Sequence, residues 1–203
     1  MRVEATSIAG CWIFSPQLHL DDRGVFLESF TSKSFRHTLG HELQVRQTNV
    51  SCSRQGTLRG IHFADVPPGQ AKYVQCSAGK IMDIVVDIRV GSATFGLWEA
   101  VELNSDARRA LYLAEGLGHA FCALSETATV SYMCSEPYTP AREHGIHPLD
   151  PDLGITWPRQ FQLHLSAKDS EAPSLAEALS LGLLPTYEEC KQQYRSLRDR
   201  DHS

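Results

Sequence analysis

The chain has 203 residues, 42% hydrophobic and 21% charged, which places it among ordinary folded domains of the larger all-β kind and not among disordered chains. A net charge of −5 argues against nucleic-acid binding, which asks for a basic face, yet leaves room for a small anionic ligand held by a few local arginines. No apolar run approaches the roughly 18 residues of a membrane span, and residues 1–6 lack the apolar core of a signal peptide, so a cytoplasmic location without membrane contact is expected.

In chain order, residues 25–30 read as strand, 32–39 as helix stopped by Gly40, and 43–53 as a strand of clear alternation. In that last segment Leu43, Val45, Gln47, Asn49 and Ser51 share one face, and Gln44, Arg46, Thr48 and Val50 the other. Gln and Asn on an inner face suit a wet, ligand-holding interior; an exposed polar face gives the same pattern. Gly56 breaks the strand, 57–63 follows at hairpin distance, and Pro67-Pro68-Gly69 makes a turn. Strands are expected at 72–77 and 81–89 on either side of Ala78-Gly79-Lys80, the second rich in β-branched residues and therefore central. With 97–103, 110–114, 119–124 and 127–134 the total reaches about ten strands at spacings of roughly 8–12 residues, the pattern of a sandwich or barrel. Beyond Pro158 the pattern turns helical at 174–183, with Leu175, Leu179 and Leu183 on one side, and at 187–197; residues 198–203 are expected to fray. This predicts a single domain over 1–203, all-β, with a barrel over about 10–160 and a helical appendage over about 165–200.

The chemistry centres on His62, in Thr57-Leu58-Arg59-Gly60-Ile61-His62-Phe63, on Lys72 in Gln70-Ala71-Lys72-Tyr73-Val74, and on Tyr132 in Thr129-Val130-Ser131-Tyr132-Met133-Cys134. A base, a cation and a phenol are the parts needed to move protons beside a ketone without a cofactor. Each also has a plainer reading, since a strand histidine is more often structural and a strand tyrosine more often core. Cations in apolar strands need a reason, and an anionic ligand is one. Strict alternation sets Arg59 and His62 on opposite faces, unless a bulge at Gly60 re-aims one of them. Tyr138 lies in the loop Glu136-Pro137-Tyr138-Thr139-Pro140, suited to stacking on a base or sugar. Asp169 is a helix N-terminal carboxylate that gains interest only behind His62, where it would fix the ring's tautomer. A metal-binding barrel of the cupin type offers two histidines one residue apart, then a carboxylate and a third histidine. Here His62 has no such neighbour and His119 stands apart, so no metal is expected. The six cysteines form no C-x-x-C and read as reduced and buried.

Taken together, Asp22-Arg23-Gly24-Val25-Phe26-Leu27-Glu28, Gln47-Thr48-Asn49-Val50-Ser51, Gly56-Thr57-Leu58-Arg59-Gly60-Ile61-His62, Gln70-Ala71-Lys72, Asp83-Ile84-Val85-Val86-Asp87-Ile88-Arg89, Gly91-Ser92-Ala93-Thr94-Phe95-Gly96 and Asp150-Pro151-Asp152-Leu153-Gly154-Ile155-Thr156-Trp157-Pro158 resemble the dTDP-4-dehydrorhamnose 3,5-epimerase family from about residue 5 to 185. The resemblance implies a cupin-like jelly-roll β-barrel, a homodimer, no cofactor, and a dTDP-linked 4-keto-6-deoxyhexose whose protons at carbons 3 and 5 are acidified by the ketone. It implies His62 as general base with Asp169 behind it, Lys72 on the enolate oxygen and Tyr132 as the acid on the opposite face. Arg23 and Arg59 would hold phosphate. Glu28, Gln47, Asn49 and Lys168 would contact the nucleotide or its phosphates, and Phe26, His119, Tyr138 and Glu143 would complete the binding set. The segment from Arg23 to Glu28 would reach into the partner's site. Two departures stand out. His119-Ala120-Phe121 replaces the usual His-Gly-Phe, and Phe63-Ala64-Asp65-Val66-Pro67-Pro68 lacks the common glutamine. Such variation also occurs in relatives that invert one carbon only, so the number of inverted centres stays open. A sugar-nucleotide ketoisomerase and a non-catalytic sugar-nucleotide-binding barrel are the other readings.

Overall fold

The computed structural model describes residues 1–201. β1 (Arg2–Ala5) and β2 (Cys11–Ser15) come first, then the short hairpin β3 (His19–Asp21) and β4 (Gly24–Phe26), helix α1 (Ser32–Leu39), and the strands β5 (Gln47–Arg54), β6 (Leu58–Ala64), β7 (Lys72–Ala78), β8 (Lys80–Val86), β9 (Trp98–Asn104), β10 (Ala110–Leu113), β11 (Gly118–Ala123), β12 (Thr127–Cys134) and β13 (Glu143–Gly145). Helices α2 (Ala167–Ser170), α3 (Leu175–Ser180) and α4 (Tyr187–Asp201) follow. The strands form a six-stranded sheet ordered β1-β2-β10-β7-β12-β5 and a five-stranded sheet ordered β13-β6-β11-β8-β9, with β3 and β4 paired only to each other. Every pair of named strands is antiparallel.

Alternation sorts the side chains into three layers. Val74, Cys76, Leu111, Leu113 and Val130 of the six-stranded sheet meet Ile81, Val85, Val101, Leu103 and Phe121 of the five-stranded sheet in the central layer. The outer face of the five-stranded sheet (Leu58, Ile61, Phe63, Ile84, Val86) is covered by Leu153, Trp157, Leu175, Ala178 and Leu184 of the C-terminal segment. The outer face of the six-stranded sheet is covered by α1, whose Phe35 stacks on Phe14 at 4.6 Å and meets Tyr73 and Tyr112 edge-on. Phe35 and Leu39 are four apart on one helical face, Thr31 caps the first turn, and Gly40 ends the helix in the left-handed region. Each strand is therefore buried by rule on one side and free to carry function on the other only where the central layer is wet.

Several expectations needed correction. The strand expected at 25–30 is confined to Gly24–Phe26, because its hairpin turns at once, with Asp21 accepting from the Arg23 N–H at 2.8 Å. The strand expected from 43 starts at Gln47; Leu43 packs instead beneath α1. β1, β2 and β13 were not foreseen. β2 lies between β1 and β10 with both faces partly or wholly covered, so it shows no alternation, and β13 has only three residues. Helix α3 buries Leu175 and Ala178, whereas Leu179 is exposed, so its buried face is not the leucine row. The fraying expected from 198 is not seen through Asp201, since α4 continues to that residue; His202 and Ser203 lie outside the described residues.

Candidate active site

The position of His62 depends on an irregularity in β6. Across the β6–β11 ladder His62 pairs with His119 and Arg59 pairs with Phe121. Between these pairs β11 supplies one residue, Ala120, and β6 supplies two, Gly60 and Ile61. The extra residue is a bulge, and it cancels the alternation that separated Arg59 from His62, so both point to the central layer. Gly60 makes this possible: its φ is +104°, and a Cβ there would lie 2.4 Å from the His119 carbonyl oxygen. Gly60→Ala is expected to destabilise the fold by roughly 2 kcal/mol or more, read as a lower urea midpoint. A variant as stable as the parent would show that the bulge is not needed.

The His62 Nε2 lies 2.6 Å from Asp169 Oδ1. Asp169 is buried at the start of α2, where Ser166 caps the helix and donates its hydroxyl to Asp169 Oδ2 at 2.9 Å. Burial pushes the Asp169 carboxyl up, but bonds from His62, Ser166 and the Gly60 N–H outweigh it and hold the carboxyl below its ordinary value. An ionised carboxylate only accepts, so Nε2 carries the proton and Nδ1 keeps its lone pair. The arrangement is that of an oriented base. Because the folded carboxyl is depressed, its stabilising contribution is complete above the ordinary aspartate value of 3.8 and is lost as pH falls through the folded value. Asp169→Asn should therefore cost stability at neutral pH and cost progressively less below about pH 4, in denaturation curves taken across that range. It should also lower turnover roughly 10²–10⁴-fold through loss of ring orientation. A pH-independent stability difference would remove this carboxylate from the ion pair.

Facing His62 from the six-stranded sheet are Lys72 on β7 and Tyr132 on β12, with Gln47 and Asn49 on β5. Together with Gln70, Tyr138, Glu143 and Lys168 they line one cavity of about 210 Å³. The inner face of β5 is the polar one expected, and Gln47 uses its amide to bond Asn49 at 2.8 Å and to accept from the Tyr138 N–H at 2.8 Å. Lys72 is buried, and burial lowers its pKa although Glu143, Cys134 and Asp83 act in the opposite sense. Burial raises the Tyr132 phenol, which stays protonated, with Arg59 opposing the shift. Lys168 lies 5.8 Å from the centre of the Tyr138 ring, at the exposed rim. Gln70 bonds the Glu136 carbonyl at 2.9 Å and Glu143 at 3.4 Å, tying β13 to the segment that carries Lys72.

Arg59 lies on the same inner side and donates to Ser53 at 3.2 Å, without lining the cavity itself. His119 is bonded to buried Asp83, its register neighbour on β8 being Val85. Arg23, Phe26 and Glu28 are not brought to this cavity. Arg23 is exposed and paired with Asp21, and Phe26 is 68% exposed on the projecting hairpin. Reading the sequence missed Asp83, Gln70 and Ser166. Asp83 left a signal, as a carboxylate in phase with Ile81 and Val85 on a strand otherwise built of apolar residues. Among the described residues no three His, Cys, Asp or Glu side chains converge as metal ligands.

Such a cavity has a base on one sheet and a phenol on the other, with an ammonium between charges that can meet a developing oxyanion. It can remove a proton from one face of a carbon and return one to the opposite face. Comparison with known proteins agrees with that chemistry. The family model of dTDP-4-dehydrorhamnose 3,5-epimerase matches residues 5–177. The chain is 52% identical to a Mycolicibacterium smegmatis dTDP-4-dehydrorhamnose 3,5-epimerase, over 98% of each. It is 50% identical to a Streptomyces bikiniensis dTDP-4-dehydro-6-deoxyglucose 3-epimerase, over 95% of this chain and 98% of the other. Among solved structures, a Mycobacterium tuberculosis epimerase superposes with a TM-score of 0.96 at 45% identity, covering 98% of this chain and all of the other. A Streptomyces bikiniensis 3'-monoepimerase in complex with dTDP-quinovose superposes at 0.93 with 50% identity, over 95% and 98%.

Proposed function

Since the chain belongs to the dTDP-4-dehydrorhamnose 3,5-epimerase family, we propose that it epimerises a dTDP-4-keto-6-deoxyhexose in deoxysugar biosynthesis through the residues of the cavity between its two sheets. The relatives' names share inversion at carbon 3 and divide on carbon 5. The observation that carries the mechanism is the placing of the His62–Asp169 pair and Tyr132 on opposing sheets around one cavity. His62 Nδ1 takes the proton beside the ketone and Nε2 stays bonded to Asp169. The electrons of the broken C–H bond move into an enolate whose oxygen Lys72 stabilises. Tyr132 returns a proton to the other face, and inversion follows from the geometry. Gln47, Asn49, Glu143 and Lys168 hold the sugar nucleotide, Tyr138 offers a stacking surface at the rim, and Arg59 and His119 support the ligand from the floor.

The same reading gives the hairpin a purpose. β3 and β4 pair with no other strand among the described residues and expose Leu20, Val25 and Phe26, the surface expected of an arm that Arg23, Phe26 and Glu28 carry into a second subunit of a homodimer. The strand order suits a jelly-roll of the cupin-like kind. Six unpaired cysteines, five of them buried, suit a reducing cytoplasm.

Incubation with dTDP-4-keto-6-deoxyglucose, followed by NMR of the product, tests the assignment. Inversion at carbon 3 alone gives the mono-epimerase and inversion at carbons 3 and 5 the double epimerase. Migration of the carbonyl would replace the reading with a ketoisomerase, and bound but unaltered sugar with a binding barrel.

A further inference from the structure

A second cavity, of about 160 Å³, lies where α4 packs against β2, β10 and α1, and shares no lining residue with the first. Trp12, Tyr112, Tyr187 and Tyr194 form an aromatic wall, and Arg89 closes it from within. Arg89 is fully buried, with Nε and Nη2 donating to the two oxygens of Asp87 at 2.8 Å each. Asp87 is already saturated, accepting also from Ser92 and Thr94 at 2.6 Å. The remaining guanidinium nitrogen, Nη1, has no hydrogen-bond partner. The neighbouring Tyr194 hydroxyl donates its own proton to the Glu115 carbonyl at 2.5 Å. Lys191 and Arg198, half-exposed and exposed on α4, stand among the lining residues, and no carboxylate does.

A buried, unanswered N–H donor on a cation, aromatic walls and basic residues around it ask for one kind of ligand. We infer that this cavity binds a small aromatic carboxylate, with one carboxylate oxygen on Arg89 Nη1 and the ring against the aromatic wall. The volume suits a single ring, since a dry cavity of about 150 Å³ holds benzene. The site is independent of the epimerase reading and remote from its residues.

The test uses the full chain saturated with dTDP, so that the first cavity is filled, and titrates benzoate while following backbone amides by NMR. Saturable shifts are expected at Arg89, Tyr112 and Tyr194. Benzamide, which has the same shape without the charge, should bind about tenfold more weakly or worse. Lys191→Glu, on the surface of α4, should weaken benzoate about threefold or more without altering epimerisation. Benzamide binding as tightly as benzoate would overturn the anion assignment. Absence of saturation, or shifts confined to the first cavity, would overturn the site itself.

Discussion

Replacing His62 with asparagine is expected to lower turnover by roughly 10²–10⁴-fold, the range over which a positioned general base contributes. Nucleotide affinity should stay near that of the parent chain, because the ring acts mainly in the transition state and the binding set lies elsewhere in the cavity. Asparagine is close in volume, leaves Asp169 a donor, and disturbs neither the Gly60 bulge nor the pairing of β6 with β11. The expected signature is a fall in kcat with dTDP binding, measured by calorimetry, almost unchanged. A variant that turns over normally would remove His62 from the mechanism, and one that merely loses affinity would make it a binding residue.

Tyr132→Phe is expected to separate two steps that the parent enzyme couples. It deletes one hydroxyl from a ring that packs against the central layer, so the fold should be kept. With the base intact, proton removal continues. With the donor gone, the carbanion is quenched from the side on which it formed, and the original configuration returns. In deuterium oxide the variant should therefore exchange the substrate's acidic hydrogens while inversion falls by roughly 10²-fold or more. If exchange and inversion fall together, the phenol is needed to form the enolate. Full inversion by the variant would assign the acid to another group.

The sequence was informative where one periodicity governs one layer. The alternation of 47–53 put Gln47 and Asn49 on the inner face, and α1 ran from Ser32 to Leu39 as its cap and stop residues indicate. It was less informative where the contact is made at long range. The partnership of His62 and Asp169 spans 107 positions, and only the docking of α2 beneath β6 reveals it. The inner placing of Arg59 rested on whether Gly60 bulged, which depends on the partner strand as much as on the glycine. Asp83 was legible as an anomaly but not as the partner of His119. The hairpin residues Arg23, Phe26 and Glu28 belong to a site that one chain does not complete, so neither the motif nor the single subunit brings them to a ligand.

The central claim is that solvent-exchanging groups on opposing sheets invert carbons next to a ketone. Incubating the parent chain with dTDP-4-keto-6-deoxyglucose in deuterium oxide, and reading carbons 3 and 5 by NMR, tests it most directly. The account predicts one solvent deuteron at every inverted carbon, and none at any carbon in the His62→Asn variant over the same time. Inversion that retains the substrate's own hydrogen, or ligand binding with no exchange at either carbon, would contradict it.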